Sequence, residues 1–102
     1  MFGEPVVFVD IETSGSNYKS GRIIEIAAIR VENNEVTDVF KSLVNPGVRI
    51  PYWITEITGL TDEDMIDAPS FEDIAYQLRQ ILDGAIFIAH NVRFDYSFVK
   101  NQ

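Results

Sequence analysis

Two carboxylates, Asp10 and Glu12, stand two residues apart at the end of the apolar run 5–9. In a β-strand, residues i and i+2 point to the same face, so the two side chains would project together. Adjacent like charges repel and resist desolvation unless a cation neutralises them. Carboxylate oxygens suit Mg²⁺ or Mn²⁺. Taken alone, the pair leaves two interpretations open, a divalent-metal site and a solvated loop that follows a strand.

A second polar segment, residues 90–98, follows the apolar run 85–89, which is typical of a short buried strand. Asn91 suits a helix N-cap, and Phe94 and Phe98 recur at helical spacing. Asp95 then lies near the first turn of that helix. It either stabilises the helix dipole or adds a third carboxylate to the site begun by Asp10 and Glu12.

The sequence resembles the DEDD 3′→5′ exonucleases, a superfamily that includes the proofreading subunit of bacterial DNA polymerase III and RNase T. Residues 9–15 (VDIETSG) resemble its first motif and residues 91–95 (NVRFD) its second. Residues 22–28 (RIIEIAA) resemble its second strand. Residues 57–61 (ITGLT) resemble a loop that these enzymes place near the 3′-terminal nucleotide. The landmarks follow in the family's order along essentially the whole chain.

The resemblance implies phosphodiester hydrolysis at a nucleic-acid 3′ end. Asp10, Glu12 and Asp95 would be the catalytic residues and would hold two Mg²⁺ or Mn²⁺ ions, with Asp10 bridging both. It also implies substrate contacts from Ile11 (through its backbone), Thr13, Ile57, Thr58, Leu60 and His90. Core packing is the alternative for Ile57 and Leu60, and a structural link between strand and helix is the alternative for His90. Tyr52 and Trp53 are expected to pack under the loop.

Members of the superfamily carry a third motif further along, a His or Tyr followed by an Asp. Here the chain stops at Gln102, and its single histidine, His90, falls inside the second motif. We therefore expect residues 1–102 to be the N-terminal part of an exonuclease domain, nearly inactive alone, without the general base and the fourth carboxylate. Exposed Phe94 and Phe98 beside a free strand edge would favour self-association.

Composition bounds the remaining possibilities. The 102 residues make one domain at most, and 46% hydrophobic residues are typical of a folded chain. Cysteine is absent, which excludes disulfides and thiolate metal sites. No signal peptide or apolar run near the roughly 20 residues of a membrane helix occurs, so the cytoplasm is the expected location.

The net charge of −8 and the pI near 4.4 argue against extensive phosphate contacts. Bound cations would offset part of this charge. We expect weak binding to single-stranded DNA or RNA and tethering to a larger partner such as a DNA polymerase subunit. The competing interpretation is a non-catalytic ribonuclease H-like interaction or metal-binding module.

The predicted elements give an α/β fold, a ribonuclease H-like mixed sheet that is truncated. Antiparallel strands are predicted at 5–13, 22–31 and 36–44, with a hairpin turn at two asparagines that tolerate positive φ. Short helices are predicted from Pro51 and from Thr61, and a longer one from Ser70 to Gly84. A parallel strand at 85–89 completes the sheet beside the first strand.

Overall fold

The computed structural model describes residues 3–15 and 21–89, so the second motif from His90 onward lies outside the described residues. Within the described residues, the predicted strands and helices are confirmed, and their ends agree to within one or two residues. The exception is the segment after Thr61, which forms a 3₁₀ turn where a short helix was predicted. The elements are β1 (Val6–Thr13), β2 (Ile23–Glu32), β3 (Glu35–Leu43), α1 (Tyr52–Thr58), the 3₁₀ turn (Glu63–Met65), α2 (Phe71–Leu82) and β4 (Ile86–Ala89).

The sheet within the described residues has the strand order β3-β2-β1-β4. The first three strands pair antiparallel, and β4 pairs parallel with β1. Asn33 and Asn34 form the β2–β3 turn with φ values of 52° and 67°, the conformation in which asparagine is tolerated best after glycine. The predicted ribonuclease H-like arrangement is therefore confirmed, with β3 at one edge.

Helix α2 covers one face of the sheet. Ser70 and Asp73 form the predicted capping box at its start, with Ser70 Oγ accepting from the Asp73 amide at 3.2 Å. The apolar stripe of α2 then packs on alternate residues of β1 and β2. The buried members of this core are Val7, Val9, Ile11, Ile23, Ile26, Ala28, Val44, Ile74, Leu78 and Ile81. The opposite face of β1 is left for other contacts.

A bulge in β2 positions α1. Glu12 pairs with Glu25 and Thr13 pairs with Ile23, so Ile24 is the extra residue of β2. Ile24 is fully buried in a second cluster with Ile50, Ile54 and Met65. This cluster holds α1 and the 3₁₀ turn against the end of the sheet at which β1 finishes. Among the described residues, no helix is long and apolar enough to span a membrane.

Candidate active site

Asp10 and Glu12 lie on the same face of β1, as their spacing predicts. Their neighbours Val9 and Ile11 point into the core beneath α2, whereas Asp10 is exposed and Glu12 is half-buried. The alternation of burial along β1 therefore places both carboxylates on the face of the sheet opposite α2. They stand near the carboxyl end of the strand, where the chain enters the polar loop after Thr13.

A third carboxylate, Glu25, faces this pair and was missed by sequence reasoning. Glu25 is the cross-strand partner of Glu12, so the two side chains occupy the same face. Burial raises the pKa of Glu12, and the negative charges of Asp10 and Glu25 raise it further. Its position in a predicted strand was visible in the sequence, but the register that sets it opposite Glu12 was not.

Hard divalent cations fit the chemistry of this donor set, because it consists of carboxylate oxygens that repel one another without a counter-charge. Within the described residues, no group of three or more His, Cys, Asp or Glu side chains is arranged to hold a metal ion. The predicted third ligand, Asp95, lies outside the described residues. Of the three predicted metal ligands, the described residues therefore include Asp10 and Glu12.

Strand β4 ends beside the strand that carries the two acids. It pairs parallel with β1 and ends with Ala89 opposite Val9, one residue before Asp10 along β1. An open cavity of about 360 Å³ lies on this face, and Asp10 is part of its wall. The other lining residues are Phe8, Val9, Ala27, Ile29, Ile88 and Ala89. The acids thus stand beside an apolar surface.

The residues that follow the acids are held by local hydrogen bonds. Thr13 is buried, and its hydroxyl donates to the carbonyl of Gly15 at 2.7 Å. Ser14 bonds Arg22 twice: its amide donates to the Arg22 carbonyl at 2.8 Å, and its hydroxyl accepts from the Arg22 amide at 2.9 Å. The Ile11 side chain is buried in the core, so its predicted contact with a ligand could come only from its backbone.

The loop after α1 is fixed by its threonines. The Thr58 hydroxyl donates to the Ile54 carbonyl at 2.9 Å and accepts from the Leu60 amide at 3.1 Å. Thr55 Oγ1 donates to the Leu60 carbonyl at 2.7 Å. Leu60 packs against the second cluster, whereas Ile57 is 72% exposed. Of the three predicted contacts from this loop, Ile57 is therefore the side chain most open to a ligand.

The expected packing of Tyr52 and Trp53 under the loop is wrong. Tyr52 is 77% exposed and Trp53 is 51% exposed, while Ile54 is the buried residue of α1. In a seven-residue helix only one narrow face can pack inward, and Ile54 is the buried residue on that face. The two aromatic rings are consequently turned outward.

The strand order β3-β2-β1-β4, with β4 parallel to β1, is that of a ribonuclease H-like fold. A family model described as an exonuclease, RNase T, matches residues 7–102. The chain belongs to this exonuclease family, and the resemblance of its two motifs to DEDD-type enzymes is thereby confirmed.

Curated relatives match most of this chain. It is 42% identical over 95 residues to the 3′-5′ exonuclease DinG of Bacillus subtilis, a match that covers 92% of the chain and 10% of DinG. It is 40% identical over 100 residues to the PolC-type DNA polymerase III of Caldanaerobacter subterraneus, covering 98% of the chain and 7% of that protein. The chain thus spans a tenth or less of these relatives.

Solved structures agree on the fold. Exonuclease I superposes with a TM-score of 0.84 at 21% identity, covering 98% of this chain and 24% of that one. Exonuclease X, solved in complex with 5′-overhanging duplex DNA, superposes with a TM-score of 0.77 at 26% identity. This match covers 92% of the present chain and 53% of Exonuclease X. The sheet and helices described above are therefore the arrangement found in known exonucleases.

Proposed function

We propose that this chain forms the N-terminal part of a metal-dependent 3′→5′ exonuclease domain that acts on DNA 3′ ends. The observation that carries the proposal is the projection of Asp10 and Glu12 from one face of β1, beside the end of β4. Membership of the exonuclease family and the name of the 3′-5′ exonuclease DinG support the activity, and the name of the PolC-type DNA polymerase III supports DNA as substrate. We also propose a DNA polymerase as partner, which the name of the PolC-type relative supports, and the cytoplasm as compartment.

Asp10 and Glu12 are the proposed metal-holding residues of the described region, joined by Asp95 from beyond it. Two Mg²⁺ or Mn²⁺ ions held there would activate the attacking water and stabilise the leaving 3′ oxygen. Glu25 would contribute to cation binding without contacting a metal, because its negative charge opposite Glu12 strengthens the attraction of this face for cations.

Substrate would approach across the end of the sheet. The proposed contacts are the Ile11 backbone, Thr13, Ile57, Thr58, Leu60 and His90. Thr13 and Thr58 use their hydroxyls in local hydrogen bonds, so their contribution would be to hold the neighbouring backbone in place. Ile57 is free to touch a base with its side chain, since it is largely exposed.

A non-catalytic module is less favoured by the charges on this face. Three acids on one face of adjacent strands destabilise a fold that does not bind a cation there. The burial that raises the pKa of Glu12 adds to this cost.

Calorimetric titration with Mn²⁺ tests the proposal without requiring turnover. We expect the wild-type chain to bind Mn²⁺, and Asp10→Asn and Glu12→Gln to weaken binding at least tenfold. Asp67→Asn, which changes an exposed acid in the loop before α2, is the matched control and should bind as the wild type does. Equal Mn²⁺ affinity in all four proteins would overturn the proposed site.

A further inference from the structure

An outward-facing surface with two aromatic residues occupies α1, and of its members only Ile57 is among the substrate contacts proposed above. We call it the α1 platform; it consists of Tyr52, Trp53 and Ile57, which are 77%, 51% and 72% exposed. Trp53 and Ile57 are four residues apart, so they lie one turn apart on the same side of the helix. Large aromatic groups are costly to leave in water, and such surfaces commonly mark binding sites.

The α1 platform lies at the end of the sheet that carries the acids. Ile54, on the inner face of α1, packs in one cluster with Ile24. Ile24 immediately precedes Glu25, and Glu25 is the cross-strand partner of Glu12. A strand of nucleic acid whose 3′ end is at Asp10 and Glu12 would therefore have α1 as one of its nearest neighbours.

Local charge argues that bases, rather than phosphates, would be recognised there. Between Lys41 and Arg79, Arg49 is the only cationic side chain in the sequence. Arg49 is 97% exposed, and its Nε lies 3.9 Å from Asp62, at the limit of an ion pair. Phosphate contacts need several cations, whereas the π-face of a base stacks on an aromatic ring without any.

We propose that Trp53, with Tyr52 beside it, stacks against unpaired bases one or two nucleotides from the 3′ end of a single-stranded substrate. This inference rests on the proposed exonuclease function and specifies how it holds its substrate. The platform is continuous with the proposed contact of Ile57, because Trp53 lies one helical turn from it. Loss of one stacked base typically weakens binding about 5- to 150-fold.

Trp53 is the only tryptophan in the chain, which makes its fluorescence a direct reporter. The experiment titrates a short oligo-dT into the 102-residue chain with Ca²⁺, while the anisotropy of a 5′-labelled oligonucleotide gives the affinity. Trp53→Ala, Trp53→Phe and the control Tyr76→Ala are compared. Tyr76 is a suitable control because it is also an exposed aromatic residue, at 71%, but lies on α2.

We expect oligo-dT to quench Trp53 emission. Trp53→Ala should weaken the affinity for oligo-dT about 5- to 150-fold, whereas Trp53→Phe should keep most of the wild-type affinity. Tyr76→Ala should bind as the wild type does. The dependence of affinity on salt should be the same in wild type and Trp53→Ala, because no phosphate contact is removed.

Binding of oligo-dT with unchanged Trp53 emission and unchanged affinity of Trp53→Ala would overturn the inference and leave the proposed function intact. Failure of the wild-type chain to bind oligo-dT at all would overturn the inference, and the Mn²⁺ titration would then decide separately on the metal site. Emission that responds to protein concentration instead of oligo-dT would also overturn it, and would assign the platform to a contact between copies of the chain.

Discussion

Glu12 and Glu25 lie directly opposite each other on neighbouring antiparallel strands, with Asp10 two residues away on the same face. Like charges placed directly across a sheet destabilise it. The fold therefore carries three acids in an arrangement that is unfavourable without a counter-charge. The raised pKa of Glu12 predicts that stability depends on pH in a definite direction, and the proposed metal site predicts that it depends on metal.

Removing one of these charges should stabilise the metal-free chain. In EDTA at pH 7 we expect Glu25→Gln to raise the melting temperature by roughly 1–5 °C, since a cross-strand charge pair contributes about 0.2–1 kcal/mol. Asp67→Asn, which changes an exposed acid in the loop before α2, is the control and should leave the melting temperature nearly unchanged. A lower melting temperature for Glu25→Gln would show that Glu25 makes a favourable contact instead.

The pH dependence follows from the raised pKa of Glu12, which burial causes first and the charges of Asp10 and Glu25 increase. An unfolded glutamate has a pKa of about 4.3. Between that pH and the higher folded pKa, the native state binds more protons than the unfolded state, so its stability falls as pH rises.

Glu12→Gln removes this titration. In EDTA below about pH 4, we expect Glu12→Gln to have no advantage over wild type in the free energy of unfolding. The advantage of the variant should grow as pH rises through the pKa of Glu12 in the folded protein. Urea unfolding between pH 3.5 and pH 8 measures the difference. An advantage of the same size at every pH would contradict the assignment of the effect to Glu12 ionisation.

Arg30 connects β2 to the end of α2, and its loss should destabilise the whole domain. Its Nη1 donates to the carbonyls of Ile81 at 2.7 Å and Asp83 at 2.8 Å, and its Nε to Glu32 at 3.0 Å. Carbonyls at a helix C-terminus carry partial negative charge that a cation stabilises. We expect Arg30→Ala to lower the free energy of unfolding by about 1–3 kcal/mol.

Arg79→Ala is the matched control for Arg30→Ala, because Arg79 is an exposed arginine in the last turn of α2. Its effect on urea unfolding should stay within about 0.5 kcal/mol. Similar losses in the two variants would show that net charge, and not the cap made by Arg30, determines stability here.

Gly59 holds the turn that follows α1 in a left-handed conformation, with φ of 78°. A Cβ there would meet no atom within 4 Å, so substitution costs only the backbone strain of a positive φ. We expect Gly59→Ala to lower the free energy of unfolding by about 1 kcal/mol. Gly15→Ala, at a site of similarly open space, serves as the control; an equal loss there would argue against the conformational cause.

Local sequence patterns were sufficient to predict much of the structure around the site. The two-residue spacing of Asp10 and Glu12 determined their shared face, because side-chain alternation in a strand needs no knowledge of the rest of the fold. The two asparagines of the β2–β3 turn, the Ser70 capping box and the apolar stripe of α2 were likewise readable from sequence, because each acts within a few residues.

What the sequence could not reveal depends on pairing between distant residues. The register between β1 and β2 sets Glu25 opposite Glu12, and the bulge at Ile24 comes directly after that pair. No local signal in the sequence marks either the register or the bulge. The exposure of Trp53 was also unpredictable from its type, since aromatic residues usually pack inward. It follows from the small contact face of α1, which Ile54 already fills.

The most direct test of the central claim replaces the matching 95-residue segment of Bacillus subtilis DinG with this chain, to which it is 42% identical. The chimera is incubated with 5′-labelled single-stranded DNA and Mn²⁺, beside its Asp10→Ala and Asp67→Ala variants. We expect a ladder of products shortened from the 3′ end that is lost in Asp10→Ala and kept in Asp67→Ala. A folded chimera that makes no such ladder, or a ladder that survives Asp10→Ala, would contradict the assignment of this face as the exonuclease active site.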